Sequence, residues 1–117
     1  MNKLLLSLVL IFSSATVFAN TEQEINHLLN FVETTDCSYH RNGTAYNGAD
    51  AREHIQNKYD YYDNKIKSAE DFIAYSATKS MISGKRYTIV CGDEAPQFSA
   101  DWLNQELLKY RTQLIEK

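Results

Sequence analysis

Two cysteines, Cys37 and Cys91, constrain this chain more than any other pair of residues. They are its only cysteines and lie 54 positions apart; in an exported chain such a pair reads as one disulfide. Closing a loop of that length stabilises a fold by roughly 4 kcal/mol in the chain-entropy view, a sizeable share of what a small domain has. Two rival readings carry less. Cys37-x-x-His40, with Cys91 and His54, has ligand types suited to zinc, but it is a single half-site. A cysteine nucleophile with a histidine base would have to stay unpaired where oxidation is favoured.

Export is read from the first nineteen residues. Lys3 gives a short positive start, and Leu4 to Phe12 is an apolar run broken only by Ser7. Ser13, Ser14 and Thr16 follow, then Val17-Phe18-Ala19, with small residues at the positions a signal peptidase requires. The layout is that of a secretory leader cut after Ala19. The apolar run is shorter than the ~20 residues of a membrane span, and no cysteine follows the cut to take a lipid. The expectation is a leader over 1–19, a single domain over 20–117, no membrane anchor after cleavage, and a periplasmic location. Losing Lys3 leaves eleven basic against fifteen acidic residues. That balance offers no footprint for nucleic acid and disfavours anionic membranes. The length supports one domain, and no unit recurs at a fixed period.

Thr21-Glu22-Gln23-Glu24 has the form of a capping box, with Thr21 as cap. Ile25, Leu28, Leu29 and Val32 then repeat at helical spacing, which predicts a first helix over about 22–34. Cys37 to Arg41 reads as extended. Asn42-Gly43 is the strongest two-residue hairpin signal, because both residues tolerate positive φ, and Thr44 to Tyr46 is the return strand. Asn47 caps a second helix with a stripe of Ala51, Ile55, Tyr59 and Tyr62. Ser68 caps a third, with Glu70 and Asp71 in its first turn and Ala69, Phe72, Ile73 and Ala77 buried. Arg86 to Cys91 alternates as a strand. Ser99 caps a last helix, about 100–115, with a stripe of Leu103, Leu107, Tyr110 and Leu114.

The fold class expected is therefore α+β, in the order α-β-β-α-α-β-α. Period two puts Cys37, Tyr39 and Arg41 on one face, and Tyr87, Ile89 and Cys91 on one face. A bridge between the cysteines joins those faces and makes the two strands antiparallel neighbours. The sheet then has three strands in the order 2-1-3. Its core face carries Tyr39, Tyr46, Tyr87 and Ile89, while Ser38, His40, Ala45, Thr88 and Val90 face away.

The assembled motifs are Tyr39-His40-Arg41-Asn42-Gly43, a helix carrying Ala51, His54, Ile55 and Lys58, and Ser68-Ala69-Glu70-Asp71-Phe72-Ile73. Ser80, Ser83-Gly84-Lys85-Arg86-Tyr87 and Trp102-Leu103 complete them. Together they resemble the YfeK-like family of small exported bacterial proteins, a domain of unknown function, over nearly the whole mature chain. The resemblance implies export and one small domain. It carries no activity and no catalytic residue.

Four polar groups are candidates for a site. His54 and Lys58 lie one helical turn apart and, with Arg41 and Glu70, could line a cleft. In that cleft His54 would act as acid or base and Lys58 would hold an anion. The bland alternative has Lys58 or Arg41 simply pairing Glu70. Ser80, Ser83, Gly84 and Lys85 could form an anion-binding turn, although a tight turn is the simpler reading; a Ser83–Lys85 nucleophile-base pair lacks a helix-borne serine and an oxyanion hole. Tyr59, Tyr61 and Tyr62 among Asp60 and Asp63 could hold a sugar, but nothing fixes a carboxylate spacing. Leu108 and Ile115, with Trp102 on the flank, are a candidate partner face on the last helix, for another envelope protein or a second copy. There is no nucleotide-binding glycine loop, no cofactor motif and no strong metal spacing. The leading expectation is a non-enzymatic binding module of the cell envelope. The rival is a small hydrolase or anion- or sugar-binding protein built on Arg41, His54, Lys58 and Glu70.

Overall fold

A computed structural model describes residues 19–116 of the chain; residues 1–18, which hold most of the expected leader, lie outside the described residues. Four helices pack on a small antiparallel sheet. In chain order these are α1 (Thr21–Glu33), β1 (Ser38–Arg41), β2 (Thr44–Tyr46), α2 (Gly48–Tyr61), α3 (Ala69–Ser76), β3 (Thr88–Val90), β4 (Gln97–Phe98) and α4 (Ser99–Ile115). The strand order is β2-β1-β3-β4. The class and the 2-1-3 order are as expected. The fourth strand was not expected: two residues are too few to display an alternation.

The hairpin turns where Asn42 (φ 50°) and Gly43 (φ 81°) both take positive φ, the geometry that matches the twist of its strands. Tyr39 stands opposite Tyr46, and Arg41 opposite Thr44. On the other side of β1, Ser38 pairs with Val90, Tyr39 with Ile89 and His40 with Thr88. Cys37 and Cys91 extend that register by one step and are joined by a disulfide, with Cα atoms 4.4 Å apart. This is the spacing of a directly opposed, non-hydrogen-bonded pair, so the bond closes on the sheet without pulling the strands out of register. No thiol is free, and no cluster of metal-ligating side chains occurs among the described residues.

Tyr39, Tyr87 and Ile89 are buried on the face expected, and Tyr46 is half-buried at its edge. Against them lie Ile25, Leu28, Leu29 and Val32 of α1, Ala51 and Ile55 of α2, Phe72 and Ile73 of α3, and Leu103 and Leu107 of α4. Gly48 lets α2 begin directly against the end of α1: a Cβ there would come within 2.4 Å of the Val32 carbonyl oxygen. No helix among the described residues is long and apolar enough to cross a membrane.

Two helix starts differ from expectation. Asn20, not Thr21, caps α1; its side chain accepts from the Gln23 amide, and Gln23 accepts from the Asn20 amide. Asn is at least as good a cap as Thr. The one-residue shift takes Glu24 out of the box and leaves it buried. Ser99 is the first residue of α4 rather than its cap, which is Phe98. The Ser99 hydroxyl is engaged by the buried Tyr39 hydroxyl at 2.8 Å, so it does not cap its own helix. Burial pushes the Tyr39 phenol well above its ordinary pKa, which keeps it a neutral hydrogen-bonding group.

Candidate functional site

The polar residues picked out on β1 and α2 meet at the end of the sheet opposite the disulfide. Continuing the β1–β3 register past His40 and Thr88 brings Arg41 opposite Tyr87. The Arg41 guanidinium lies 5.5 Å from the Tyr87 ring centroid and 5.5 Å from that of Tyr46. From α2, Lys58 places its ammonium 4.8 Å from the same Tyr87 ring, and the His54 ring meets Tyr46 edge-on at 4.8 Å. Contacts between a cation and an aromatic face are worth about 0.5–2 kcal/mol, more as water is excluded.

The hydrogen bonding is uneven. Lys58 Nζ donates to the Lys79 carbonyl at 2.7 Å and to the Tyr87 hydroxyl at 3.0 Å. Among the described residues Arg41 is in no ion pair, and its Nε is buried without a hydrogen-bond partner. His54 titrates below its ordinary range. Burial is the main cause and the neighbouring Arg41 charge adds to it, with Glu53 and Asp50 opposing. Imidazole here is therefore neutral near pH 7.

Glu70, expected to complete this group or to pair with Lys58 or Arg41, does neither. It sits at the start of α3 and is held by Arg111 of α4, with bonds of 2.7 and 3.2 Å. Arg111 also grips the buried Glu24 at 2.7 and 2.8 Å. These bonds hold the Glu70 carboxyl below its usual pKa and raise that of Arg111. The group Glu24–Arg111–Glu70 ties α1, α3 and α4 together, which takes Glu70 away from the Arg41 cluster.

The turn at Ser80, Ser83, Gly84 and Lys85 is closed on itself. The Ser80 hydroxyl accepts from the amides of Ile82 and Ser83; the Gly84 amide bonds the Ser80 carbonyl; the Lys85 amide bonds the Ser83 hydroxyl. The amides an anion would need are thus already committed. The same two serines bond Asn42, at 3.3 Å to Ser80 and 2.6 Å to Ser83, docking the turn on the hairpin. This positions the Lys79 carbonyl for Lys58.

Of the candidate partner face, Leu108 and Ile115 are exposed, but Trp102 is 8% exposed and packs on Phe31 at 4.6 Å. It belongs to the core. Tyr61 and Tyr75 are exposed, and Tyr62 links them, its ring 4.8 Å from Tyr61 and 5.4 Å from Tyr75.

Sequence reasoning missed Tyr46 and Tyr87 as parts of the site, though it placed both on the Arg41 face; their sharing of that face was the available signal. It also missed His27, which stacks on Tyr110 at 4.0 Å and bonds Glu106 at 2.7 Å. Those rings border an open groove of about 480 Å³ between α1 and α4, lined also by Gln23, Asn26, Asn30 and Leu114. None of the site residues expected from sequence lines it.

The fold and this cluster define a small, disulfide-stapled α+β domain with two cations gathered on one tyrosine. The chain belongs to the family of unknown function DUF5329, whose model matches residues 19–111. It is 39% identical over 74 residues to a Salmonella typhimurium protein described as "Uncharacterized protein YfeK", a match spanning 62% of this chain and 62% of that protein's length. No solved structure matches the chain.

Proposed function

We propose that this is an exported, non-enzymatic binding domain of the cell envelope whose contact surface is the Arg41–His54–Lys58 end of the sheet. One observation carries the reading: two permanent cations are held at the Tyr87 ring, and among the described residues no carboxylate is bonded to either. A charge kept without an internal counter-charge is available to a partner, and such charges set encounter rate and specificity. The surrounding sequence agrees. Residues 37–49 and 72–92 contain no Asp or Glu, although the chain is acidic as a whole. Export is supported by the leader pattern, by the formed disulfide and by a family match that begins at residue 19.

The hydrolase reading needs an acid beside His54 and Lys58, and its named acid, Glu70, is bound by Arg111. No observation at the site favours it.

Photocrosslinking in intact cells tests the proposal. A photoreactive residue at exposed Thr44, on the rim of the cluster, captures an envelope component, and capture falls when Arg41 and Lys58 are both replaced by Gln. Mass spectrometry of the same product finds a chain beginning at Asn20. Capture unaffected by the double replacement, or a full-length membrane-bound chain, rejects the corresponding half of the proposal.

A further inference from the structure

We infer that the Arg41–Lys58–Tyr87 cluster is a binding site for a single oxyanion group, a carboxylate or phosphate, an inference that rests on the binding-domain reading and names the chemistry of its ligand. Arg41 has five N–H donors and gives none to a hydrogen bond among the described residues, while its Nε is buried. The rings of Tyr46 and Tyr87 hold its guanidinium, and with Nε buried the terminal N–H groups are its means of recognition. Lys58 uses two of its three N–H groups, on the Lys79 carbonyl and the Tyr87 hydroxyl. The Tyr87 oxygen accepts that bond, so the buried Tyr87 orients the Lys58 ammonium. His54, with its ring on Tyr46, supplies an N–H in either protonation state.

The cluster therefore offers donors and hardly an acceptor. A neutral sugar or an amide presents donors of its own and would leave them unmatched, at a cost of about 1–3 kcal/mol each if buried. A carboxylate or phosphate oxygen is acceptor-only, and its charge relieves the repulsion between Arg41 and Lys58, both within 5.5 Å of one ring centroid. Planar guanidinium edges suit such oxygens in bidentate fashion. The turn at residues 80–85 serves indirectly, because docking on Asn42 holds the Lys79 carbonyl where it orients Lys58.

The test is an NMR titration of the uniformly labelled, oxidised chain with inorganic phosphate and, separately, with acetate, each against sodium chloride at matched ionic strength. The inference expects saturable shifts at the Arg41 Nε–H and at the amides of His54, Lys58 and Tyr87, with either oxyanion; whichever binds more tightly identifies the ligand type. Arg41→Gln weakens binding at least about tenfold, the worth of one charge-assisted pair. Tyr87→Phe, which keeps the ring, weakens it by a smaller factor. Shifts that track chloride equally, or that saturate elsewhere on the molecule, overturn the inference. If Arg41→Gln does not fold, Lys58→Gln takes its place, with the same expectation. Failure here alongside charge-dependent crosslinking at Thr44 removes only the oxyanion assignment; saturable oxyanion binding without crosslinking removes the envelope partner and leaves the site.

Discussion

The Arg41 guanidinium lies 5.5 Å from the Tyr87 ring centroid, one step beyond His40–Thr88, the last pair of the β1–β3 register, at the end of the sheet opposite the Cys37–Cys91 disulfide. The side-chain period of a strand is two, so a slip of one residue would send Arg41 or Tyr87 to the other face. Short strands specify register weakly by themselves; here β1 has four residues and β3 three. The covalent tie at one end is thus what fixes the cation on its ring at the other.

Removing the tie should therefore cost both stability and the site. Replacing Cys37 and Cys91 together by Ser is expected to lower stability by about 4 kcal/mol, the loop-closure value, measured by urea unfolding. The Arg41 side-chain signals should lose their ring-current displacement under conditions where the variant is still folded. A variant as stable as the parent would show that the register is held by packing alone.

The Glu24–Arg111–Glu70 group makes a separate prediction. Arg111→Met leaves Glu24, whose side chain is 9% exposed, without its partner. Stranding a buried charge costs about 3–5 kcal/mol when the pair is fully enclosed. Arg111 is itself about a third exposed, so about 2 kcal/mol is expected in chemical denaturation. A loss below about 0.5 kcal/mol, the range of ordinary surface changes, would mean that the group does not join the helices as described.

The pH dependence follows from His54. Its folded pKa lies below the ordinary 6.5 because burial and Arg41 disfavour the charged ring, while Glu53 and Asp50 partly oppose them. The unfolded chain then binds the proton more readily than the folded one. Stability is accordingly full above the ordinary value and falls as pH drops through it toward the folded pKa. Between pH 8 and 5 the parent should lose more thermal stability than His54→Gln; parallel curves would remove His54 from the acid response.

The last helix carries a core residue, Trp102, and a surface one, Leu108, within two turns. Trp102→Ala should cost about 3–5 kcal/mol, as for other buried aromatic truncations. Leu108→Lys with Ile115→Lys should stay within about 0.5 kcal/mol per site, since these side chains are 65% and 62% exposed. A collapse of the double variant would mean that this face is covered. Unfolding curves of the two proteins decide the matter.

Much of the architecture was legible because it is written in short-range chemistry. Asn42-Gly43 names a hairpin turn, Asn47 and Ser68 name helix starts, and alternation around Cys37 and Cys91 gives the facing and direction of the two central strands. What was not legible depends on partners distant in sequence. Ser99 looks like a cap until Tyr39 takes its hydroxyl, and Glu70 looks free until Arg111, 41 residues on, claims it. Trp102 reads as a flank residue because it lies outside the Leu103–Leu107 stripe, yet it is buried in the core and packs on Phe31 of another helix. Gly48 gave no sign of the close helix contact it permits. The site was half visible: Arg41, His54 and Lys58 were named, and the tyrosines that gather them were assigned only to packing.

The register itself can be measured. In the oxidised chain, a nuclear Overhauser experiment should give a direct Hα–Hα contact between Arg41 and Tyr87, as between Tyr39 and Ile89, with contacts from the Tyr87 ring to both the Arg41 and the Lys58 side chains. Arg41 opposite Arg86 or Thr88 instead, or a Tyr87 ring touching neither cation, would contradict the account.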